Sequence, residues 1–313
     1  MMAMGTSFFS EAESFPTAAE EGEEEQPILL TDEMVSSPAV LKDLEKTMDG
    51  KSVAMTKVDL PSMKLGDITV LSKLTHIRHI NVMDNLIKDL SPLFGLDHML
   101  SLNASKNKVE TVDMPTMPFL QLVDLSGNAI KGSFACPELP NLRHLLLGEN
   151  EIEGITGLEA NTQLQRLELH NNKLTSCEGL GNASVVKITL NDNEIADVKG
   201  LSTLSLVKSL DLSGNSITGL EGLPTSGALS TLMLARNQVG TLEDHVKGHV
   251  PESVTNLDMS ENPIMEGLDR VQVLVALRGL KMLNAAEVTP EETAAADLIL
   301  NPPPAEEEEA PAA

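Results

Sequence analysis

The stretch LRHLLLGENEI, residues 142–152, determines the fold of this chain of 313 residues. Its apolar side chains stand eight, five and three positions before Asn150 and two positions after it. The same spacing is found in LQRLELHNNKL, residues 164–174, and in VKSLDLSGNSI, residues 207–217. A pattern that returns at a fixed period is the sequence signature of a repeat architecture.

The asparagine of this pattern recurs along most of the chain. Successive copies lie 22, 21, 22, 22, 21, 22, 22 and 25 residues apart. They are Asn85, Asn107, Asn128, Asn150, Asn172, Asn193, Asn215, Asn237 and Asn262. Together with the apolar positions they form the L-x-x-L-x-L-x-x-N-x-L signature of a leucine-rich repeat. A weaker copy lies upstream, with Met63 in the asparagine position, 22 residues before Asn85.

We therefore predict an α/β fold, a leucine-rich repeat solenoid with a curved parallel sheet and about ten repeats of 21–22 residues over 55–264. The leucines of each L-x-L strand should fill the interior, and the residues between them should face outward. The asparagines should form a structural ladder, because an amide carries both a donor and an acceptor for backbone groups at a buried bend. Cys136 and Cys177 fall on turns two repeats apart, about 10 Å at the usual strand spacing, which is too far for a disulfide.

A solenoid has to cover its two ends, because an open terminal repeat exposes apolar surface and a strand edge. Over 30–54 we predict a helical N-terminal cap. Thr31 is one helix-start signal, and Ser37 followed by Pro38 is a second. The second helix would carry the apolar residues Val40, Leu41 and Leu44.

Over 265–300 we predict a C-terminal cap and a short helix. The cap should begin with a helix, because its apolar residues have helical spacing. These residues are Leu268, Val271, Leu274, Val275 and Leu280. Leu283 and Val288 suggest a closing return of the chain, and Thr289 with Glu292 has the spacing of a capping box for the final short helix.

Negative charge is concentrated at the two ends. The chain has 47 acidic and 22 basic residues, a net charge of −25. Residues 1–30 hold seven Glu and residues 282–313 hold eight acidic residues, and neither segment has a Lys or Arg. We predict an acidic disordered leader over 1–29 and an acidic Pro/Glu tail over 301–313. Binding to nucleic acid or to a membrane is not expected, because both need a cationic surface.

The sequence also favours a cytoplasmic location. It contains no apolar run of the roughly 18 residues that a membrane span requires. The first ten residues lack the basic and apolar regions of a secretory signal. Two cysteines are compatible with a reducing compartment.

The concave face of the predicted sheet should consist of residues six, four and two positions before each asparagine. Leu122 and Leu146 are apolar residues on adjacent strands that should point away from the core, and they form the centre of a candidate partner-binding surface. The other candidates are His79, Met83, Asp124, His144, Arg166, Glu168, Asp211, Met233 and Asp258. The concave histidines lie at different heights or on distant strands, so they should not converge on a metal ion. We predict no catalytic residue, no metal, no cofactor and no small-molecule substrate.

Particular segments resemble known families. The segment from Glu261 to Ile264, followed by the cap from Arg270 to Leu283, resembles a group of short cytosolic leucine-rich repeat proteins. A resemblance from Pro27 onward is more specific, and it is to the leucine-rich repeat-containing protein 23 family, also called radial spoke protein 15. It is carried by the acidic leader and by PILLTDEM (27–34), GDITVL (66–71), HIRHIN (76–81) and DLSPL (89–93).

This resemblance implies a non-catalytic scaffold of the radial spoke in motile cilia and flagella, a cytoskeletal protein of the axoneme that binds other spoke proteins. The alternatives are a regulatory subunit that docks a protein phosphatase and the leucine-rich repeat light chain of axonemal dynein. The first would be expected to have an acidic and aromatic concave face. The second would be expected to have fewer repeats.

Overall fold

A computed structural model of the protein describes residues 26–37, 40–46, 53–181, 184–225, 227–241, 246 and 248–302. The acidic leader up to residue 25 and the tail from residue 303 lie outside these ranges, so their disorder stays a prediction. Within the described ranges, none of the helices has the length and apolarity that crossing a membrane would require.

Short strands dominate the secondary structure. In chain order they are β1 (Ile28–Leu29), β2 (Leu41–Lys46), β3 (Val53–Asp59), β4 (Leu65–Asp67), β5 (His79–Asn81), β6 (Ser101–Asn103), β7 (Leu122–Asp124), β8 (Lys131–Ala135), β9 (His144–Leu146), β10 (Glu151–Thr156), β11 (Arg166–Glu168), β12 (Lys187–Thr189), β13 (Ser209–Asp211), β14 (Thr231–Met233), β15 (Asn256–Asp258), β16 (Met282–Leu283) and β17 (Ala286–Glu287). The α-helices are α1 (Asp32–Val35), α2 (Arg270–Ala276) and α3 (Pro290–Leu300). Turns of 3₁₀ helix lie at Thr69–Lys73, Ser91–Leu93, Leu158–Ala160, Lys199–Leu201 and Pro263–Met265.

One sheet of 13 strands runs through the molecule in the order β2, β3, β5, β6, β7, β9 and then β11 to β17. From β3 to β16 each strand is parallel to the next, which confirms the predicted solenoid. The weak first repeat is part of it, because β3 pairs with β5. A smaller parallel pair, β8 with β10, lies outside this sheet.

The core is a stack of aliphatic rows. The middle residue of each three-residue strand of the 13-stranded sheet points inward, and all of these residues are at most 2% exposed. They are Ile80, Leu102, Val123, Leu145, Leu167, Ile188, Leu210, Leu232 and Leu257. Because each coil buries its row against the next, no coil has a complete core by itself.

The nine asparagines bind backbone groups in the same way, and Asn172 illustrates it. Its amide nitrogen donates to the carbonyl oxygens of Leu169 and His170 in its own coil, at 3.1 and 3.2 Å. The same nitrogen donates to the Leu147 carbonyl of the preceding coil at 3.0 Å, and the amide oxygen accepts from the Ile152 backbone nitrogen at 2.9 Å. Each asparagine therefore joins two consecutive coils at their turn.

The residue just before each ladder asparagine has a left-handed backbone, with φ between 50° and 67°. These residues are Asp84, Lys106, Gly127, Glu149, Asn171, Asp192, Gly214, Arg236 and Glu261. Only two are glycine, although side chains other than glycine are disfavoured there by sterics. The hydrogen bonds of the following asparagine hold the turn in this conformation.

The N-terminal cap differs from its prediction. Helix α1 begins as expected, because the Thr31 hydroxyl accepts from the Met34 backbone nitrogen at 3.3 Å. The predicted second helix is wrong: residues 41–46 form β2, which pairs antiparallel with β3. A strand satisfies the open backbone edge of the first coil, which a helix cannot do. Ile28 and Leu29 form β1 against β4, so the predicted disorder through residue 29 is also wrong at its C-terminal end.

The C-terminal cap matches its prediction in outline. Helix α2 begins with a capping box of Asp269 and Gln272, and it ends at Ala276, so Leu280 is buried beyond the helix. The closing return is the antiparallel pair of β16 and β17. The capping box of Thr289 and Glu292 at the start of α3 is confirmed.

Arg270 ties this cap together. Its guanidinium donates to the Glu292 carboxylate at 2.6 Å and to the Leu283 carbonyl at 2.8 Å. These bonds join the start of α2 to the start of α3 and to the last parallel strand. The Arg270 guanidinium, followed by the Thr289 backbone bond, lowers the pKa of the Glu292 carboxyl.

We expect Asn172→Ala to destabilise the protein by about 3 kcal/mol or more, because each buried backbone group left unsatisfied costs roughly 1–3 kcal/mol. Denaturant unfolding monitored by circular dichroism measures the change. Asn141→Ala is the control, since Asn141 is exposed and its side chain makes one bond, to the Pro118 carbonyl. Equal losses in the two variants would contradict the role of the ladder.

The Glu292 carboxylate should make stability depend on acid pH. A depressed folded-state pKa stabilises the fold above the ordinary glutamate value of 4.5, and this contribution disappears as the pH falls through the folded-state value. Wild type should therefore be more stable than Glu292→Gln at pH 7, and the difference should shrink below pH 4.5. Unfolding curves over this range test it, with Glu291→Gln as the control at the neighbouring, exposed position. A difference that does not change with pH would contradict the prediction.

Candidate protein-binding surface

The outward side chains of the sheet form two continuous columns. The first residue of each strand contributes to one column and the third residue to the other, because parallel pairing keeps the strands in register. The first column contains His79, Ser101, Leu122, His144, Arg166, Lys187, Ser209, Thr231 and Asn256. The second contains Asn81, Asn103, Asp124, Leu146, Glu168, Thr189, Asp211, Met233 and Asp258.

Leu122 and Leu146 lie on adjacent strands, as predicted, but in different columns. Leu122 is opposite His144, and Asp124 is opposite Leu146. The two leucines are therefore diagonal neighbours, roughly 7–8 Å apart, which is within reach of long side chains. Both are half-buried. They form a small apolar site with an imidazole on one side and a carboxylate on the other.

Three predicted site carboxylates also cap turns. Asp124, Asp211 and Asp258 each accept the backbone N–H of the serine two residues later, at 3.0 Å. The sequence signal for this bond is the repeated Asp-x-Ser, whose structural role was not predicted. The bond fixes the orientation of each carboxylate on the concave face, so a partner would meet them already ordered.

The charges of Arg166 and Glu168 largely offset each other. Both side chains point outward from β11, and the guanidinium binds the carboxylate directly. Thr189 lies in the second column between Glu168 and Asp211, and it is opposite both of them. Its hydroxyl is enclosed without a hydrogen-bond partner among the described residues. The sequence analysis missed this residue, because nothing in its repeat position distinguishes it.

The remaining candidates are not brought together. His79 and His144 are three strands apart, roughly 14 Å at about 4.8 Å per strand, and the His79 ring bonds the Ser101 hydroxyl at 2.8 Å. Met83 lies in the turn after β5, and Met233 lies on β14 between Asp211 and Asp258. Among the described residues, no group of three or more His, Cys, Asp or Glu side chains could hold a metal ion.

The two cysteines are free and buried. Burial raises the pKa of Cys136 and of Cys177 to about 12. Cys136 contacts Asn161, a fully buried amide outside the ladder that accepts from the Leu139 backbone at 2.8 Å. Neither thiol is suited to nucleophilic chemistry at neutral pH.

Comparison with known proteins supports the repeat class. The family model Leucine Rich repeats (2 copies) matches residues 140–182. The functional domain of InlJ from Listeria monocytogenes superposes with a TM-score of 0.59 at 20% identity, covering 76% of this chain and 56% of that one. The internalin InlF from the same species gives 0.51 at 19% identity, covering 79% and 88%. By fold, the chain is a leucine-rich repeat protein.

Three proteins that share one name are similar in sequence to this chain. Leucine-rich repeat-containing protein 23 of Homo sapiens is 34% identical over 137 residues, which is 44% of this chain and 39% of that protein. The protein of the same name from Bos taurus is 32% identical over 130 residues, 42% and 37% of the two chains. The one from Mus musculus is 30% identical over 165 residues, 51% and 47%. The chain is similar in sequence to leucine-rich repeat-containing protein 23, and each match spans less than half the length of the relative.

Both cysteines should resist alkylation in the native protein. At pH 8 a thiol with a pKa of about 12 is ionised to about one part in ten thousand, and burial also blocks access. Iodoacetamide followed by mass spectrometry should detect little modification in buffer and complete modification in denaturant. Stoichiometric labelling of native Cys136 or Cys177 would show that the coil opens or that the thiol is activated.

Proposed function

We propose that the chain is a non-catalytic structural subunit of the radial spoke of motile cilia and flagella, in the cytoskeleton of the axoneme, and that its concave face binds neighbouring spoke proteins. Two facts support a role in the radial spoke. The chain is similar in sequence to leucine-rich repeat-containing protein 23, and its segments from Pro27 onward resemble that family. The observation that carries the binding role is the apolar site of Leu122 and Leu146 on a concave sheet whose other outward strand residues, apart from Met233, are polar.

The site has the composition of a peptide-binding anchor point. An apolar side chain of the partner would cover both leucines, and burying such a group is the main favourable term in recognition. The column of Asp124, Asp211 and Asp258 favours basic residues along the rest of the same partner segment. Asp211 and Asp258 are two strands apart, about 10 Å, which matches cations roughly three residues apart in an extended chain.

A stacked solenoid suits a permanent contact. Its outward side chains are held in register by the sheet, and several carboxylates are oriented by turn bonds. Little conformational freedom remains to be lost when a partner binds. Catalysis is not part of the proposal, because the carboxylates of the second column are engaged in turn caps or an ion pair, and His79 and His144 lie three strands apart.

Expression of the tagged chain in flagellated cells tests this proposal. It should co-purify with radial spoke subunits in extracted axonemes, as measured by mass spectrometry. Leu122→Asp with Leu146→Asp should lower this recovery at least tenfold without unfolding the solenoid, because the partner would have to bury two added charges.

The matched control is Leu206→Asp, since Leu206 is an exposed leucine at 51% and lies outside the concave columns. It should be recovered like wild type. Undiminished recovery of the double variant would refute the concave site. Recovery of the wild type in the soluble fraction with a phosphatase catalytic subunit would instead support the phosphatase alternative, and recovery with dynein heavy chain would support the light-chain alternative.

A further inference from the structure

A basic groove lies on the rim of the solenoid, where the first coils turn away from the concave sheet. Its volume is about 470 Å³, and its lining includes Ser62, Lys64, Leu86, Lys106 and Lys108. We call it the lysine groove. It stands out in a chain with a net charge of −25. The one acidic side chain in its lining, Asp84, accepts the Ser62 hydroxyl at 2.6 Å.

Several other cations along the same rim have acidic partners. Lys131 and Lys173 both reach the Glu151 carboxylate, at 3.7 and 2.7 Å. Arg236 binds Asp192 at 2.9 Å. Lys106 and Lys108, in contrast, are exposed and form no ion pair with any residue that the structure describes. The groove therefore holds positive charge that the described part of the fold does not neutralise.

The chain enters the fold beside this groove. Strand β1 runs parallel to β4, and the Ile28 backbone nitrogen donates to the Lys64 carbonyl at 2.7 Å. The chain therefore enters the fold next to Lys64. Pro27 packs on Gly66 so closely that a Cβ at Gly66 would overlap its ring.

A second cavity links the entry point to the groove. Its volume is about 350 Å³, and it is lined by Pro27, Ile28 and Leu86. Leu86 also lines the lysine groove, so the two cavities are neighbours on one rim. A peptide that continues N-terminally from Pro27 therefore starts beside both cavities.

The sequence immediately before this point is the most acidic part of the leader. It carries Glu20, Glu21, Glu23, Glu24 and Glu25, with Gln26 between them and Pro27. Five residues span about 17 Å at about 3.3 Å per residue, and two coils are about 10 Å apart, so the carboxylates can reach all three lysines. The covalent connection gives this segment a high effective concentration at the groove.

We propose that the lysine groove is a binding site for a carboxylate-rich peptide and that its occupant is the chain's own segment Glu20–Glu25. Carboxylates of this segment meet the ammonium groups of Lys64, Lys106 and Lys108. The contact is electrostatic and lies at the surface, so salt weakens it. An acidic segment of another protein could enter the groove only by displacing the leader.

Zero-length cross-linking of carboxylates to amines, followed by mass spectrometry, tests the contact. Wild type should give cross-links from residues 20–25 to Lys106 or Lys108. Acetylation rates of individual lysines provide the second readout. Lys106 and Lys108 should react at least threefold more slowly than exposed Lys208 in low salt, and at similar rates in 1 M NaCl, where charges are screened within about 3 Å.

Variants separate the leader from other acidic sources. Changing all five glutamates of the leader to Gln (E20Q, E21Q, E23Q, E24Q and E25Q) should remove the cross-links and raise the acetylation of Lys106 and Lys108 to the rate of Lys208. The control changes Glu306 to Glu309 to Gln in the other acidic run, and it should behave like wild type. The altered residues lie outside the described fold, and circular dichroism checks that each variant remains folded.

Equal acetylation of Lys106 and Lys108 in wild type and in the leader variant would overturn the proposal. Cross-links that join heavy and light copies in an isotopically mixed sample would also overturn it, because they would assign the groove to a second molecule. Faster acetylation of Lys106 and Lys108 in the control variant would also overturn the proposal, because it would show that the acidic run from Glu306 to Glu309 occupies the groove.

Discussion

The fold depends on one hydrogen-bonding group, the asparagine amide at the end of each strand. Each amide satisfies carbonyl oxygens in two consecutive coils and a backbone nitrogen of the earlier coil. These backbone groups turn away from the sheet ladder at a buried bend, where an unmade hydrogen bond is costly. The same bonds hold the preceding residue in a left-handed conformation, even where it carries a side chain such as Lys106 or Glu149. Repeating this turn every 21–22 residues sets the register of the whole sheet.

Register then determines the surface. Successive strands pair without a shift in register, so the outward residues fall into two columns. The side chains of neighbouring strands can therefore be compared directly. The concave charges are largely engaged, with Arg166 on Glu168 and three aspartates capping their own turns. What remains is an apolar diagonal at Leu122 and Leu146, which is a surface suited to a segment of another protein. On the rim, in contrast, Lys106 and Lys108 form no ion pair with any residue that the structure describes.

The ends of the solenoid show how a repeat fold terminates. At the N-terminus β2 pairs with the edge of the first coil, and at the C-terminus the β16–β17 pair follows the last repeat. Both solutions use strands, because an open sheet edge presents unpaired backbone groups that only another strand satisfies completely. The helices α2 and α3 then cover apolar surface, and Arg270 fastens them to the Leu283 carbonyl.

The sequence by itself determined the solenoid, the ladder asparagines and the inward leucines, because these positions repeat at a period that only one stacking can satisfy. The same period placed the two cysteines too far apart for a disulfide. The sequence also determined the capping box of Thr289 and Glu292 and the adjacency of Leu122 and Leu146. Only the tertiary structure decided that residues 41–46 form a strand, because this depends on an edge offered by β3 and not on local helix signals. The diagonal offset of the leucines, the unsatisfied Thr189 hydroxyl and the convergence of lysines from different coils were likewise decided in three dimensions. Such features arise between coils, where residues about 22 positions apart become neighbours, and no local pattern in the sequence records them.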